Sequence, residues 1–217
     1  MTVSQVYRKY RLLPGMQKHM LEVSAVGAFL CDHIQEVIDN DSIIKALTLH
    51  DVGKIVTIKL GLIPGTWGKK PLEYWREIQE DFRKKYGVGK EATLNICREI
   101  GLSDRLIELV EATRFSNADE AYKSGDMEKM ICVYADQRVS PFGIAGLEYR
   151  MEEGRVHYRL NKKVCDEAKD ERQFNYYAEH LYKIQDRIFE NIDLTPEDIT
   201  DEAVFKYIPK IKKMNLN

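Results

Sequence analysis

Apolar residues recur at steps of three and four over most of this chain, and that spacing restricts its fold most strongly. After a Pro14-Gly15 breaker, the first apolar stripe runs through Met16, Met20, Val23, Val26, Leu30, Ile34 and Val37. Such spacing places the side chains on one face of a helix, so we predict a first helix over about 16–37. We predict a second helix over about 43–59. Because this segment is apolar nearly all round, we expect the second helix to be central to the core.

Helix-breaking and capping residues divide the rest of the chain into further helices. The predicted helices span about 71–86, 90–100, 103–115, a short segment with an Asn117/Glu120 capping box, 126–136, 166–191 and a short segment after Thr195. The secondary structure of the stretch from the break at 140–143 up to about 163 is ambiguous, since Val156, Tyr158 and Leu160 alternate as in a strand. About eight helices with almost no sheet indicate an all-α bundle. We treat 1–217 as a single domain, with its core at about 15–140 and a C-terminal helical extension at about 141–217.

Charge and cysteine content exclude several classes of protein. The 33 Lys and Arg residues nearly balance the 35 Asp and Glu residues, so the net charge of -2 predicts no binding to nucleic acid or to a membrane surface. The four cysteines have no metal-binding spacing and are expected to be reduced and buried. The chain has neither an apolar run of the roughly 18 residues that span a membrane nor an N-terminal signal segment. These features favour a cytoplasmic protein and leave oligomerisation open.

Four ionisable residues lie at positions where the apolar spacing predicts buried core residues. His19 is on the apolar stripe of the first helix, His50 and Asp51 are inside the second, and Asp136 follows an apolar run. A buried carboxylate costs several kcal/mol unless it is paired or bound to a metal. Taken singly, each His could be a hydrogen-bonded core residue, and Asp136 could pair with Arg138 or Lys54.

A divalent metal ion would explain the four residues together. Two imidazoles and two carboxylates suit iron, manganese, cobalt, nickel or zinc better than calcium or magnesium. Neighbouring helices of a bundle can project such side chains into one site. We therefore predict one divalent transition metal ion held by His19, His50, Asp51 and Asp136.

The same residues resemble the H…HD…D signature of the HD superfamily of metal-dependent phosphohydrolases. The signature comprises His19, the segment Leu49-His50-Asp51-Val52-Gly53-Lys54, and Asp136, at intervals of about 31 and 85 residues. The resemblance covers roughly 15–140 and implies an HD-domain helical bundle in which the four residues are metal ligands. Members with two or three metals add histidines between the HD pair and the last Asp. This chain has none there, which favours a mononuclear site.

The expected chemistry is hydrolysis of a small phosphate ester, such as a nucleotide, by a metal-activated water. Lys54 shares a helical face with His50 and Asp51, so we predict that it binds phosphate or protonates the leaving group. Arg114 stands where multi-metal members have histidines and is a second candidate for binding phosphate. Several mononuclear HD nucleotidases have a catalytic Glu at the position of Lys54, so a general acid or base would come from elsewhere, with Glu111 as the candidate.

Two other functions remain open at this point. A mononuclear site could serve a hydratase or lyase acting on a small non-phosphate substrate, or a non-catalytic module that binds a metal or nucleotide. Lys54 and Arg114 discriminate between these alternatives. If both face the metal, an anionic substrate is favoured; if both face solvent, the hydratase gains support.

Overall fold

A computed structural model of the chain describes residues 1–60, 68–161 and 167–216, with side chains at all of these positions except 157–161 and 167–169. Its α-helices are α1 (Val3–Lys9), α2 (Pro14–Cys31), α3 (Asn40–Leu47), α4 (Leu72–Tyr86), α5 (Glu91–Ile100), α6 (Asp104–Ala112), α7 (Ala118–Ser124), α8 (Met127–Gln137), α9 (Leu147–Asn161), α10 (Glu167–Phe189), α11 (Asp201–Phe205) and α12 (Ile208–Ile211). Short 3₁₀ turns occur at Lys54–Val56, Phe115–Asn117 and Pro196–Asp198.

The fold is all-α, as predicted. Its described sheet is one hairpin of two antiparallel strands, β1 (Val139–Ser140) and β2 (Gly143–Ile144), in which Val139 pairs with Ile144. Among the described residues, no helix is both long enough and apolar enough to cross a membrane.

Helix α2 is the central helix, and it ends earlier than predicted. Every residue from Met20 to Cys31 is buried. The predicted end near Val37 is wrong, because the chain turns away from the core after Cys31 and the Val37 side chain is fully exposed. The apolar spacing continues past the helix through Ile34, which packs against the core from outside α2. Asp39 then caps α3 by accepting a hydrogen bond from the Ser42 backbone N–H.

The second predicted helix is also wrong in extent, since α3 ends at Leu47 instead of near residue 59. Tyr7 donates a 2.8 Å hydrogen bond to the Thr48 carbonyl just past the end of the helix. The chain then continues through turns into the 3₁₀ turn at Lys54–Val56. The apolar side chains of this segment are buried although the backbone is irregular. Apolar spacing in the sequence does not distinguish such a buried irregular segment from a buried helix.

Two further details differ from the prediction. Helix α6 begins after its predicted cap Ser103 but stops at Ala112, short of Phe115. Asn117 does not cap α7 with its side chain, because its amide donates a 2.8 Å hydrogen bond to the Glu111 carbonyl.

Two segments are helical where the pattern had not indicated a helix. Helix α1 was not predicted; it is initiated by a capping box between Thr2 and Gln5. The ambiguous stretch is also helical, since α9 covers 147–161. Its strand-like alternation has no structural counterpart, and Val156 lies exposed on the helix.

The C-terminal third packs onto the same core as the rest of the chain. Helix α10 lies against α7 and α8, while α11 and α12 lie against α2. Val204, Ile211 and Leu216 belong to the buried cluster that begins at Val3. Thr2 and Asn215 also form an antiparallel bridge, so the two ends of the described chain meet.

Candidate metal centre

Three separate segments bring the four predicted ligands together. His19 lies in the second turn of α2, His50 and Asp51 lie in the turns after α3, and Asp136 lies near the end of α8. Helix α2 packs against both α3 and α8, so these side chains converge at one place in the bundle. The early end of α3 means that His50 and Asp51 are presented by a turn and not by a helix.

The donor atoms lie close enough to share an ion. Ligand atoms of His19, His50 and Asp51 all lie within 4.8 Å of one another, and this is the group among the described residues that could hold a metal. Asp136 is not a member of that group, but its Oδ1 lies 3.1 Å from His19 Nε2 and 3.3 Å from His50 Nε2. Its Oδ2 accepts a 2.7 Å hydrogen bond from the Gln137 amide. Asp136 therefore faces both imidazoles, not Arg138.

His50 carries the observation that most favours a metal. Its Nδ1 lies 2.8 Å from the Leu47 carbonyl, so Nδ1 carries a proton and Nε2 is the nitrogen that can bind either a second proton or a metal ion. This Nε2 is buried and has no hydrogen-bond partner, and Asp136 Oδ1 lies 3.3 Å from it. An unsatisfied buried nitrogen beside carboxylates is costly unless something binds it. A divalent metal ion fits the two nitrogens and the carboxylates around it.

The charges of the cluster are strongly coupled. Burial by itself lowers the pKa of His50, but the Asp136 and Asp51 carboxylates overcome this and raise the pKa to about 9. Burial raises the pKa of Asp136, yet the two imidazoles hold it well below its usual value. The pKa of Asp51 is also lowered, since Lys54 and both imidazoles outweigh burial. Both carboxylates are therefore ionised at neutral pH, as metal ligands need to be, whereas His50 must release a proton when a metal ion binds.

Lys54 lies at the edge of this cluster. Its Nζ is 3.4 Å from Asp51 Oδ1, while its side chain is 52% exposed. The pKa of Lys54 is raised, chiefly by Asp51, with burial and the positive charge of Arg114 acting in the opposite direction. Lys54 thus touches a predicted ligand and also reaches solvent, an arrangement suited to meeting an incoming anion.

The other two predicted catalytic residues lie beside the cluster and not in it. Arg114 is close enough to Lys54 to act on its charge. Glu111 and Arg114 both line a neighbouring cavity of about 250 Å³. Among the described residues, neither side chain forms an ion pair or hydrogen bond with the four predicted ligands.

Sequence reasoning missed the residues that hold the turn with His50 and Asp51 in place. Gln79 of α4 donates hydrogen bonds of 2.6 and 2.8 Å to the carbonyls of Ile55 and Ile58. Thr93 of α5 accepts a 3.2 Å hydrogen bond from the Gly53 N–H. A signal for Gln79 was available, because it is a polar residue one helical turn before Phe82 on the apolar face of α4.

The remaining histidines and cysteines lie outside the cluster or outside the described residues. The rings of His33 and His180 bond to the carbonyls one turn earlier in the chain. Cys31, Cys97 and Cys132 are buried free thiols, which confirms that prediction for these three. Cys165 and the side chain of His157 fall outside the part that the structure describes.

A second, larger cavity of about 710 Å³ lies between β2, the start of α9, α10 and the 196–202 segment, and none of the four predicted ligands lines it.

Comparison of the chain with known protein families, with curated proteins and with solved structures finds no match. The geometry and chemistry of the His–Asp cluster are therefore the basis on which a function is inferred.

Proposed function

We propose that the chain is a metal-dependent hydrolase of the HD superfamily that cleaves a small phosphate ester. In this proposal His19, His50, Asp51 and Asp136 hold one divalent transition metal ion. The observation that carries the proposal is the buried Nε2 of His50, which has no hydrogen-bond partner and stands beside His19 and two ionised carboxylates.

The choice of a phosphate ester follows from the cations at the edge of the cluster. When bound, a divalent ion lowers the pKa of a coordinated water and neutralises charge on a phosphoryl group. Lys54 has its ammonium 3.4 Å from Asp51, so it is placed to donate a hydrogen bond to a phosphate oxygen near the ligands. Arg114 adds a second positive charge close to Lys54. Two cations at this edge favour an anionic substrate over the neutral one that a hydratase would take.

A reconstitution experiment tests the proposed activity. The metal-free chain is loaded separately with manganese, iron, cobalt, nickel and zinc, and each form is assayed against a panel of phosphate esters. We expect about one tightly bound ion per chain and turnover of at least one ester. Absence of turnover with every metal would rule out the hydrolase, and two tight ions per chain would contradict the mononuclear site.

The ligand assignment has its own test by substitution. We expect Asp51→Ala to lose most of the bound metal, because Asp51 belongs to the group of donors that lie within 4.8 Å of one another. Asp186→Ala, which removes an exposed carboxylate from α10, is the matched control and should retain the metal. Metal content is measured by elemental analysis after dialysis. Full metal content in Asp51→Ala would show that the assignment is wrong.

A further inference from the structure

The 250 Å³ cavity beside the metal centre has a lining that is charged almost throughout. It lies between the start of α5, the end of α6, α7 and α8. Its apolar lining residues are two alanines, Ala112 and Ala121, and no aromatic residue lines it among the described residues. Its volume is below the range of about 300–1,000 Å³ that is typical for drug-sized ligands. The cavity therefore suits a small, hydrophilic group.

Arg114 connects this cavity to the metal centre. It lines the cavity just after the end of α6, and α6 packs against α3, which precedes His50, and against α8, which carries Asp136. The packing of Gly53 against the backbone of Thr93 also brings the start of α5, where Lys90 lies, beside the metal-binding turn. A substrate with its phosphate near Lys54 would have the cavity available for the group that the phosphate is attached to.

Four charged side chains of the lining are free to meet a ligand. Glu108 is already neutralised, since it forms ion pairs with Lys129 at 2.5 Å and Arg105 at 2.8 Å. Within the described residues, no ion pair or side-chain hydrogen bond engages the four charged groups that remain. These are Lys90, Arg114, Glu111 and Glu120.

The chemistry of this lining distinguishes between substrates. A nucleobase is bound largely by apolar contact and by stacking on aromatic side chains, neither of which the described lining offers. Free carboxylates accept hydrogen bonds from hydroxyl groups, and free cations bind anionic or hydroxyl oxygens. Resting on the hydrolase proposed above, we infer that this cavity binds the alcohol portion of the substrate and that this portion is a small polyhydroxylated group, such as a sugar, and not a nucleoside.

Binding of phosphonate analogues tests this inference without turnover. The manganese-loaded full chain is titrated calorimetrically with methylphosphonate and with the phosphonate analogues of ribose 5-phosphate and of adenosine monophosphate. We expect the sugar phosphonate to bind at least tenfold more tightly than either of the other two. Equal or tighter binding of the nucleoside phosphonate, or no binding of the sugar phosphonate, would overturn the inference.

Substitutions locate the effect in the cavity. The double variant Glu111→Gln, Glu120→Gln should reduce the tenfold preference for the sugar phosphonate over methylphosphonate to less than threefold. Glutamine keeps the size of each side chain, and far-UV circular dichroism verifies the fold. The control Glu202→Gln, at the rim of the larger cavity, should leave the preference unchanged. A preference that survives the double variant would show that the sugar binds elsewhere.

The two proposals fail in different ways. If no phosphate ester is hydrolysed but the binding preference and its loss are observed, the hydrolase is wrong and the cavity assignment stands. If nucleotides are hydrolysed and the nucleoside phosphonate binds more tightly, the hydrolase stands and the cavity assignment is wrong.

Discussion

Lys54 joins the candidate metal centre to the solvent, since it contacts Asp51 and yet exposes half of its side chain. We expect Lys54→Met to lower kcat/KM for a phosphate ester by about 10²-fold, the loss typical of removing one donor to a developing oxyanion. The bound metal should remain, because Lys54 is not a ligand. Steady-state kinetics and metal analysis measure the two effects.

Lys59→Met is the matched control for this prediction, since Lys59 is an exposed lysine five residues later in the same segment. It should retain both activity and metal. If Lys54→Met were as active as the control, Lys54 would have no role in binding the phosphate.

That the four candidate ligands form one cluster could be predicted, because each is an ionisable residue within an apolar run. A burial cost of several kcal/mol applies to such a group in any fold, so the sequence alone shows that His19, His50, Asp51 and Asp136 need a partner. That the partner of Asp136 would be two imidazoles, and not Arg138, could not be read from the sequence. Arg138 instead bonds to Tyr134, Ala145 and Pro196.

The turn that carries His50 and Asp51 depends on a close backbone approach at Gly53. A Cβ at this position would lie 2.4 Å from the Thr93 nitrogen and 2.6 Å from the Ala92 carbonyl carbon, and backbone atoms cannot move away as a side chain can. We expect Gly53→Ala to displace the turn, to lower the free energy of unfolding by about 1–3 kcal/mol or more, and to weaken metal binding.

Chemical denaturation and metal titration measure the effects of Gly53→Ala. Gly146→Ala is the control, because nothing lies within 4 Å of a Cβ built at Gly146. Gly53→Ala with the stability and metal affinity of the control would show that the approach of the turn to α5 is not needed.

Glu99 of α5 contacts residues of α4 and the residue that follows α1. Its carboxylate accepts hydrogen bonds from Tyr10 at 3.0 Å and Tyr86 at 3.1 Å, and it lies 2.9 Å from the Lys85 ammonium. The Lys85 contact is the largest cause of its lowered pKa. A lowered pKa means that Glu99 stabilises the fold above the pKa of an unfolded Glu, about 4.3, and that this contribution disappears as the pH falls through the lowered value.

We therefore expect Glu99→Gln to be less stable than the native chain at pH 7, with a difference that shrinks as the pH falls below about 4. Glu77→Gln, at an exposed position on α4, should match the native chain across the same range. Urea denaturation at several pH values measures both variants. A difference that stays constant down to pH 3 would contradict the assigned ion pair.

The C-terminal third is part of the core that holds α2, the helix of His19, because α11 and α12 pack directly on α2. Ile211 is 2% exposed at this contact. We expect Ile211→Ala to lower the free energy of unfolding of the whole chain by about 2–5 kcal/mol, in a single transition that includes the metal centre. Denaturation followed by circular dichroism and by metal release measures both events.

Val37→Ala is the control for this prediction, since Val37 is an apolar residue that is fully exposed. Its unfolding should match that of the native chain. Metal release that precedes the loss of helix in Ile211→Ala would show that the C-terminal helices and the centre unfold separately.

Local spacing and burial cost determined the helical class, several helix ends and the identities of the His and Asp residues, because these properties act between neighbours in the sequence or on one side chain alone. The caps at Ser103 and Asp126 are of this kind. Tertiary contacts decided the end of α3 at Leu47, the central place of α2 and the close approach of Gly53 to α5. Such contacts join residues tens of positions apart, so the periodicity within one segment does not predict them.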